Sequence, residues 1–387
     1  MPGTAAPLQI VGLMSGTSLD GVDGVLADFG GPAPRVLAHA HQPYGADLRR
    51  ELLLLNKPGP DEIHRTALAA NGVALAYAGV VKTLADMNGV DRRQLRALGA
   101  HGQTVRHRPL EFDGVGYTVQ VLNGALLAEL TGVDVVCDMR SRDLAAAGQG
   151  APLVPAFHAA VFFRPGRHTA VLNLGGIANL TLLGPTDGQV SGFDCGPGNV
   201  LLDGWCERHT GQPLDRDGRW SAEGRVHEGL LGQLLDEPFL LRSPPKSTGR
   251  DLFSLDWLDA RLQAMSTGER PAARDVQATL AEYTARAACE ALHRHAPRTD
   301  ALLICGGGAY NSDLMRRLAR LRPQTEVRTT HQSHGVPVDQ VEALAFAWLA
   351  HAHLQGRAGN VPAVTGARGA RVLGCLHPAG CVGGRDG

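Results

Sequence analysis

Charge is sparse in this 387-residue chain: Asp, Glu, Lys and Arg together make up 19%, against roughly 25% in ordinary soluble proteins. Lys and Arg (37) almost cancel Asp and Glu (38), leaving a net charge of -1. No global field exists to gather a phosphate polymer or an anionic lipid surface, which excludes a general binder of either. Lysine is the rarest cation; Lys57, Lys82 and Lys246 are the whole set, and the other basic residues are arginine. Seven cysteines, an odd number with no C-x-x-C spacing, exclude a disulfide framework and a structural zinc site and fit a reducing compartment. No basic segment precedes the first apolar run, so no secretory leader is expected. The longest weakly charged stretch, 144–163, carries Gln149, Pro152, Pro155 and His158 and does not read as a membrane span. A soluble, cytoplasmic protein is the expectation. Walker A, dinucleotide-fingerprint and nucleophile-elbow patterns are all absent.

The material for a core is there. Hydrophobic residues make up 44% of the chain, enough to bury roughly three quarters of the extended chain's surface. A length of this order implies two or three domains at about 150 residues each. Short apolar runs at 9–14, 24–29, 97–100, 133–137, 170–174, 179–183 and 301–305 read as strands. Helical spacing occupies 60–87, 126–130, 276–295, 311–321 and 342–354, with Leu280, Tyr283, Ala287 and Leu292 forming a buried stripe. The Gly-rich end, 380–387, reads as a frayed tail. Strands alternating with helices predict an α/β fold. A strand, glycine turn and return strand open each half of the chain, which suggests an internal structural duplication.

Three glycine-bearing turns could carry chemistry. Gly16, Thr17, Ser18, Leu19, Asp20, Gly21, Val22 and Asp23 pack glycines, hydroxyls and two carboxylates between apolar strands. Small residues let backbone N–H groups approach phosphate oxygens, and Asp20 and Asp23 could hold Mg²⁺ directly or through water. A hairpin with ordinary turn chemistry is the competing reading of the same residues. Gly306, Gly307 and Gly308 stand between a strand and a helix, where backbone can lie against adenine or ribose, or where the chain simply turns. In Gly192-Phe193-Asp194-Cys195-Gly196-Pro197-Gly198-Asn199, apolar neighbours would raise the Asp194 pKa and suit it to accept a proton; a structural Asp bonded to turn amides is the competing account. His101, Gln103, Thr104, Arg106, Arg140, Arg142, Asp143, Gln149 and Glu342 are available for a polyhydroxylated or acidic substrate. His101 and His107 lack partners at metal-ligand spacing, and 215–218 reads as a solvated turn.

Seven motifs occur in order: 12–21, Gly102-Gln103-Thr104, 148–155, 173–179, 192–199, 246–250 and 305–311. Together they resemble the anhydro-N-acetylmuramic acid kinases, over nearly the whole chain from about Val11 to about Leu373. The resemblance implies the actin and hexokinase type ATPase superfamily: a two-domain, actin-like ATPase (ribonuclease H-like) α/β fold with an interdomain cleft. The expected domains are 1–140 with 358–387, and 141–357. It implies ATP and Mg²⁺ as cofactors, with residues 16–23 on the phosphates, Gly175, Gly176 and Asn179 opposite, and 306–308 near the nucleoside. Family chemistry opens a 1,6-anhydro sugar with water while ATP phosphorylates O6, an inverting glycosidase joined to phosphoryl transfer. Asp194 matches the general base, and Glu342 matches a carboxylate that positions the sugar and the attacking water. A small-molecule amino sugar and ATP are the implied partners, with neither nucleic acid nor membrane, in a homodimer. Departures occur at Leu122-Asn123-Gly124, Cys137-Asp138-Met139-Arg140 and Val341-Glu342-Ala343, none of which removes a catalytic group. The alternatives are a non-catalytic sugar sensor, a hexose kinase or a phosphohydrolase on the same fold. A sensor that regulates transcription would carry a DNA-binding segment, and no basic helix-turn-helix stretch precedes Gln9 or follows Leu373.

Overall fold

Two sheets organise the chain, each in its own unit. The computed structural model describes residues 8–16, 18–249 and 252–380. Thr17, Arg250 and all of the expected tail beyond Gly380 therefore lie outside the described residues. One unit comprises Met1–Phe157 with Gln340–Gly387, and the other His158–Asp339.

In the first unit, β1 (Gln9–Met14), β2 (Gly21–Asp28) and β3 (Arg35–Pro43) form an antiparallel meander. Beside β1 run β4 (Ala97–Ala100) and then β7 (Val135–Cys137), both parallel. Between them in sequence, β5 (Gln103–Pro109) and β6 (Gly116–Val121) pair as a separate hairpin. A last edge strand, Cys375–His377, returns antiparallel to β7.

Alternation along the strands produces two buried faces. Val11, Leu13, Val22 and Leu26 join Val73, Tyr77, Val80 and Leu84 of the Glu62–Asn88 helix in one core. Ile10 and Val136 join Phe346, Ala347 and Ala350 of the Val341–Leu354 helix in another. Gly12 and Gly99 are paired across β1 and β4, and a Cβ on either would run into that helix's backbone, at Ala343 or Phe346. Glycine here allows a helix to lie directly on the sheet. The Glu62–Asn88 helix is long and apolar enough to cross a membrane by length and composition; here it is a core helix packed on β2 and β3.

The second unit repeats the plan. β8 (Thr169–Leu174), β9 (Ile177–Leu183) and β10 (Val190–Pro197) form the meander, and β11 (Ala301–Cys305) and β12 (Glu326–Thr329) lie parallel beyond β8. The Ala273–His295 helix packs on β9 and β10, and all four residues of its expected stripe are buried. Its buried Glu282 accepts hydrogen bonds from Arg317 and Arg320 of the Ser312–Leu321 helix, tying the two helices together.

The strand order third, second, first, fourth, fifth, with only the second running against the other four, thus occurs twice, so the duplication is one of topology. The domain limits move from the expected 140/141 and 357/358 to Phe157/His158 and Asp339/Gln340. The physical reason lies in packing. The 148–150 loop is bonded to Asp143 and Thr365, and the Val341–Leu354 helix lies on β1 and β4.

Candidate active site

The first glycine turn, between β1 and β2, is held from several sides. Ser15 donates to the Gly102 carbonyl at 3.0 Å and lies 2.8 Å from the buried Tyr77 hydroxyl. Gln103 Nε2 donates to the Gly16 carbonyl at 2.9 Å, and Arg49 Nε to the Leu19 carbonyl at 3.1 Å. Leu19 adopts φ 57° with its side chain buried, pegging the turn into the core. Ser18 donates to Asp20 Oδ1 at 2.9 Å, and Asp20 is exposed. Asp23 lies in β2, one strand pair from His41, and both His39 Nε2 (3.2 Å) and His41 Nδ1 (3.0 Å) reach its Oδ1. Burial by itself would raise the Asp23 carboxyl, but the two imidazoles outweigh it and hold it below the usual range.

His101 and Arg140 support this turn from beneath. The His101 Nδ1–H donates to the Ser15 carbonyl at 3.1 Å, and Nε2 accepts from Arg140 Nη2 at 3.0 Å. A carbonyl can only accept and a guanidinium can only donate, so one tautomer is selected. Burial, with the Arg140 charge second, pushes His101 down to about 3, and the ring is neutral. Arg140 Nη1 donates to the Gly150 carbonyl at 2.8 Å. Burial lowers Arg140 to about 10 against the fields of Glu342 and Asp143. Glu342 is exposed in the first turn of its helix, where a carboxylate is favoured. Gln149 is anchored through its backbone N–H to the Thr365 carbonyl at 2.8 Å, and Thr104 Oγ1 accepts from Gln120 at 3.2 Å.

Three sequence readings change. Asp143 is fully buried and accepts from Gly150, Asn360 and Thr365, so it organises loops and is not available to a substrate. Arg106 is paired with Glu62 at 2.7 Å. Asp215 is no solvated turn residue either: it is buried, with its carboxylate accepting from the Trp220 and Ser221 amides.

In the second unit, the β8–β9 turn is Gly175-Gly176, whose carbonyls accept from the amides of Gly198, Asn199 and Val200. Register places Asn173, Asn179 and Asp194 side by side across β8, β9 and β10. A bulge between Asp194 and Gly196 interrupts the ladder there, a device that re-aims side chains. Asp194 Oδ2 accepts from the Ser247 hydroxyl at 3.0 Å and the Thr248 amide at 2.9 Å. Burial raises the Asp194 carboxyl above its ordinary value, with Thr248, Ser247 and the Lys246 charge opposing. Gly306 takes φ 81°, and a Cβ there would strike Asn173 and Leu174. Next to it, a cavity of about 480 Å³ is lined by Gly307, Gly308, Tyr310, Asn199, Asp203 and Asp217, among others. Ser247, Thr248, Asn199 and Tyr310 fall within the 246–250, 192–199 and 305–311 motifs but carried no role in the sequence reading, and Asp203 lies outside every motif.

The glycines divide into two groups. Gly12, Gly21, Gly99, Gly198 and Gly308 are required by packing, since a Cβ would collide with neighbouring atoms. Gly16, Gly175, Gly176 and Gly307 are not: a Cβ there would meet nothing closer than 3.5 Å, and none has a positive φ. These four belong to the turns expected at the nucleotide, and neither fold nor conformation calls for glycine there.

Two sheets of this topology, each opened by a glycine turn, define an actin-like ATPase fold of the sugar-kinase type. A family model described as anhydro-N-acetylmuramic acid kinase matches residues 8–379. An anhydro-N-acetylmuramic acid kinase of Variovorax paradoxus is 57% identical over 373 residues, covering 95% of this chain and 98% of its own. One of Bordetella pertussis is 57% identical over 380 residues, covering 98% of each. The chain belongs to the anhydro-N-acetylmuramic acid kinase family.

Proposed function

We propose that this chain is an ATP-dependent kinase in peptidoglycan recycling. It opens the 1,6-anhydro ring of 1,6-anhydro-N-acetylmuramic acid with water and phosphorylates O6, giving N-acetylmuramate 6-phosphate. The observation that carries the reading is Asp194: a half-buried carboxylate with raised pKa, gripped among the described residues at Oδ2 alone. Such a group is placed to take a proton from water through its other oxygen. As the water oxygen bonds to C1, the C1–O6 bond breaks, and O6 takes the γ-phosphoryl group, so no separate acid is needed at O6. Glu342 would orient the sugar and the water, its carboxylate steadied by the Arg140 charge. His101, Gln103, Thr104, Arg140 and Gln149 would shape the sugar side. His101 and Gln103 do so through the turn that they support, and Gln103 Oε1 and Arg140 Nε are buried without a partner among the described residues.

ATP fits the glycine pattern. Gly16, Gly175, Gly176 and Gly307 leave room for phosphate oxygens to approach the backbone, and the cavity beside Gly307 and Tyr310 would take the nucleoside. Among the described residues no group of three or more His, Cys, Asp or Glu side chains could hold a metal by itself. Asp20 and Asp23 offer carboxylate oxygens, the donors that Mg²⁺ takes alongside substrate phosphates and several waters. Asp20 would hold it, with Asp23 behind, engaged by its two histidines; bound there, the ion would neutralise phosphate charge. Among the described residues six cysteines form no disulfide, five of them buried, which supports a reducing, cytoplasmic setting. The homodimer implied by the family is a matter for light scattering.

The test is mass spectrometry of the product formed from ATP, Mg²⁺ and the anhydro-sugar in ¹⁸O-labelled water. The expected product is a sugar 6-phosphate with the label at C1. Label in the phosphate would indicate ATP hydrolysis instead, and preference for an acceptor with a free 6-hydroxyl would indicate an ordinary hexose kinase.

A further inference from the structure

Lys246 is one of only three lysines, and the structure gives its ammonium an unusual occupation. Nζ donates to two main-chain carbonyls, Phe239 at 3.2 Å and Leu240 at 3.0 Å, in the short helix Pro238–Leu241. It also lies over the Phe239 ring at 4.8 Å and the Phe193 ring at 5.8 Å. Among the described residues no carboxylate hydrogen-bonds to it; Asp194 acts on it through its charge alone. The cation is thus directed at backbone dipoles and aromatic faces, and its charge is spent inside the fold.

What this anchors is the strip of chain that grips Asp194. The Lys246 carbonyl accepts from the Asp194 amide at 3.2 Å. The next two residues supply the Ser247 hydroxyl and the Thr248 amide to Asp194 Oδ2. Three consecutive residues therefore hold one carboxylate by its backbone and by one of its oxygens. We infer that Lys246 is a positioning residue for Asp194: by fastening 246–248 to the 238–241 helix, it locks the carboxylate rotamer so that Oδ1 faces the reacting water. This deepens the proposed function and rests on Asp194 being the base.

The inference separates a clasp from a mere staple of the fold. A staple, when removed, costs stability and nucleotide binding alike and leaves the ionisation of Asp194 where it was. A clasp, when removed, frees the carboxylate from donors that favour its charged form. The charged and titratable groups around the pair are Lys246, the Cys195 thiol, Arg242, Arg294 and His295. Only Lys246 both opposes the burial of Asp194 and carries the strip that bonds to it.

The experiment compares Lys246→Met, Ser247→Ala and Asp194→Asn with the parent, all as full chains. It measures kcat, the pH profile of kcat/KM and ATP affinity by calorimetry. Lys246→Met is expected to lower kcat roughly tenfold to a hundredfold, the cost of one or two hydrogen bonds to a charged group. Its acid limb should move up by about one pH unit, with the ATP Kd within about twofold, because no part of the clasp belongs to the glycine turns. An acid limb that stays in place overturns the inference, whatever happens to kcat. So does a loss of ATP affinity that matches the loss of kcat. If Lys246→Met does not fold, Ser247→Ala decides: an upward-shifted limb supports the clasp and an unmoved limb overturns it. An active Asp194→Asn would instead sink the reading of Asp194 as the base. An inactive one with an unmoved limb in the other variants removes only the role of Lys246.

Discussion

Asp143→Asn exchanges a single oxygen for an NH₂ group, yet it should be among the most damaging conservative changes in the first unit. Asp143 is fully buried, and three donors converge on it. Oδ1 accepts from Asn360 Nδ2 at 2.6 Å and Thr365 Oγ1 at 2.8 Å, and Oδ2 from the Gly150 amide at 2.8 Å. A carboxylate takes all three, because it only accepts; an asparagine has one accepting oxygen and one donating nitrogen. With its oxygen towards Asn360 and Thr365, its NH₂ confronts the Gly150 amide; flipped, it confronts the other two donors. Asn360 cannot turn over to compensate, because its Oδ1 already accepts from the Arg371 amide at 2.7 Å.

At least one buried donor is left unsatisfied, at about 1–3 kcal/mol, and the surviving bonds lose their charge assistance, which roughly halves them. A loss of about 2–4 kcal/mol follows, or roughly 5–12 °C in melting temperature for a unit of this size. Differential scanning calorimetry and urea titration measure it. Because Asp143 also holds Gly150, whose carbonyl accepts from Arg140, the KM for the anhydro-sugar should rise with little change in ATP affinity. A variant within about 0.5 kcal/mol of the parent, the range of an ordinary surface change, would refute the account of Asp143 as a loop organiser.

Asp194→Asn should fold, bind ATP and lose ring opening and phosphoryl transfer together; a variant that retained either step would uncouple them. In the parent, the Asp194 pKa is raised by burial, so its charged form is present above that raised value and is lost as pH falls through it. The acid limb of kcat/KM should therefore lie above the ordinary carboxylate range near 3.9, and a limb at or below that value contradicts the assignment. His101, pushed down to about 3, adds no titration near neutrality, which its imidazole NMR shifts should show as a ring that stays neutral. Gly12→Ala should destabilise by about 2–3 kcal/mol, as overpacking does, because its Cβ meets the Ala343 carbonyl across the sheet; an unchanged unfolding midpoint would show that the helix can move away.

Elements whose apolar period is strong and local were legible in the amino-acid order. The strands at 9–14, 97–100 and 301–305 and the helix at 342–354 fall within a residue of their expected limits, and the 276–295 helix only begins earlier, at Ala273. The amino-acid order also marked Asp194, because a lone carboxylate among apolar and small residues is conspicuous in a chain so poor in charge. β3 and β12 escaped because they are partly exposed edge strands without clean alternation. The β5–β6 hairpin and β10, which carries Asp194, escaped because glycine, proline and charge break up their runs.

The role of each polar group was set by the folded chain. Ser247 and Thr248 reach Asp194 across more than fifty residues of chain, and Asn360 and Thr365 reach Asp143 across more than two hundred. The packing glycines and the open ones have the same letter and differ only in what stands opposite. Burial follows from a residue's own neighbours and period, so one strand at a time reveals it. A hydrogen bond needs a particular partner at a particular angle, and that partner is chosen when the sheets and helices close on one another.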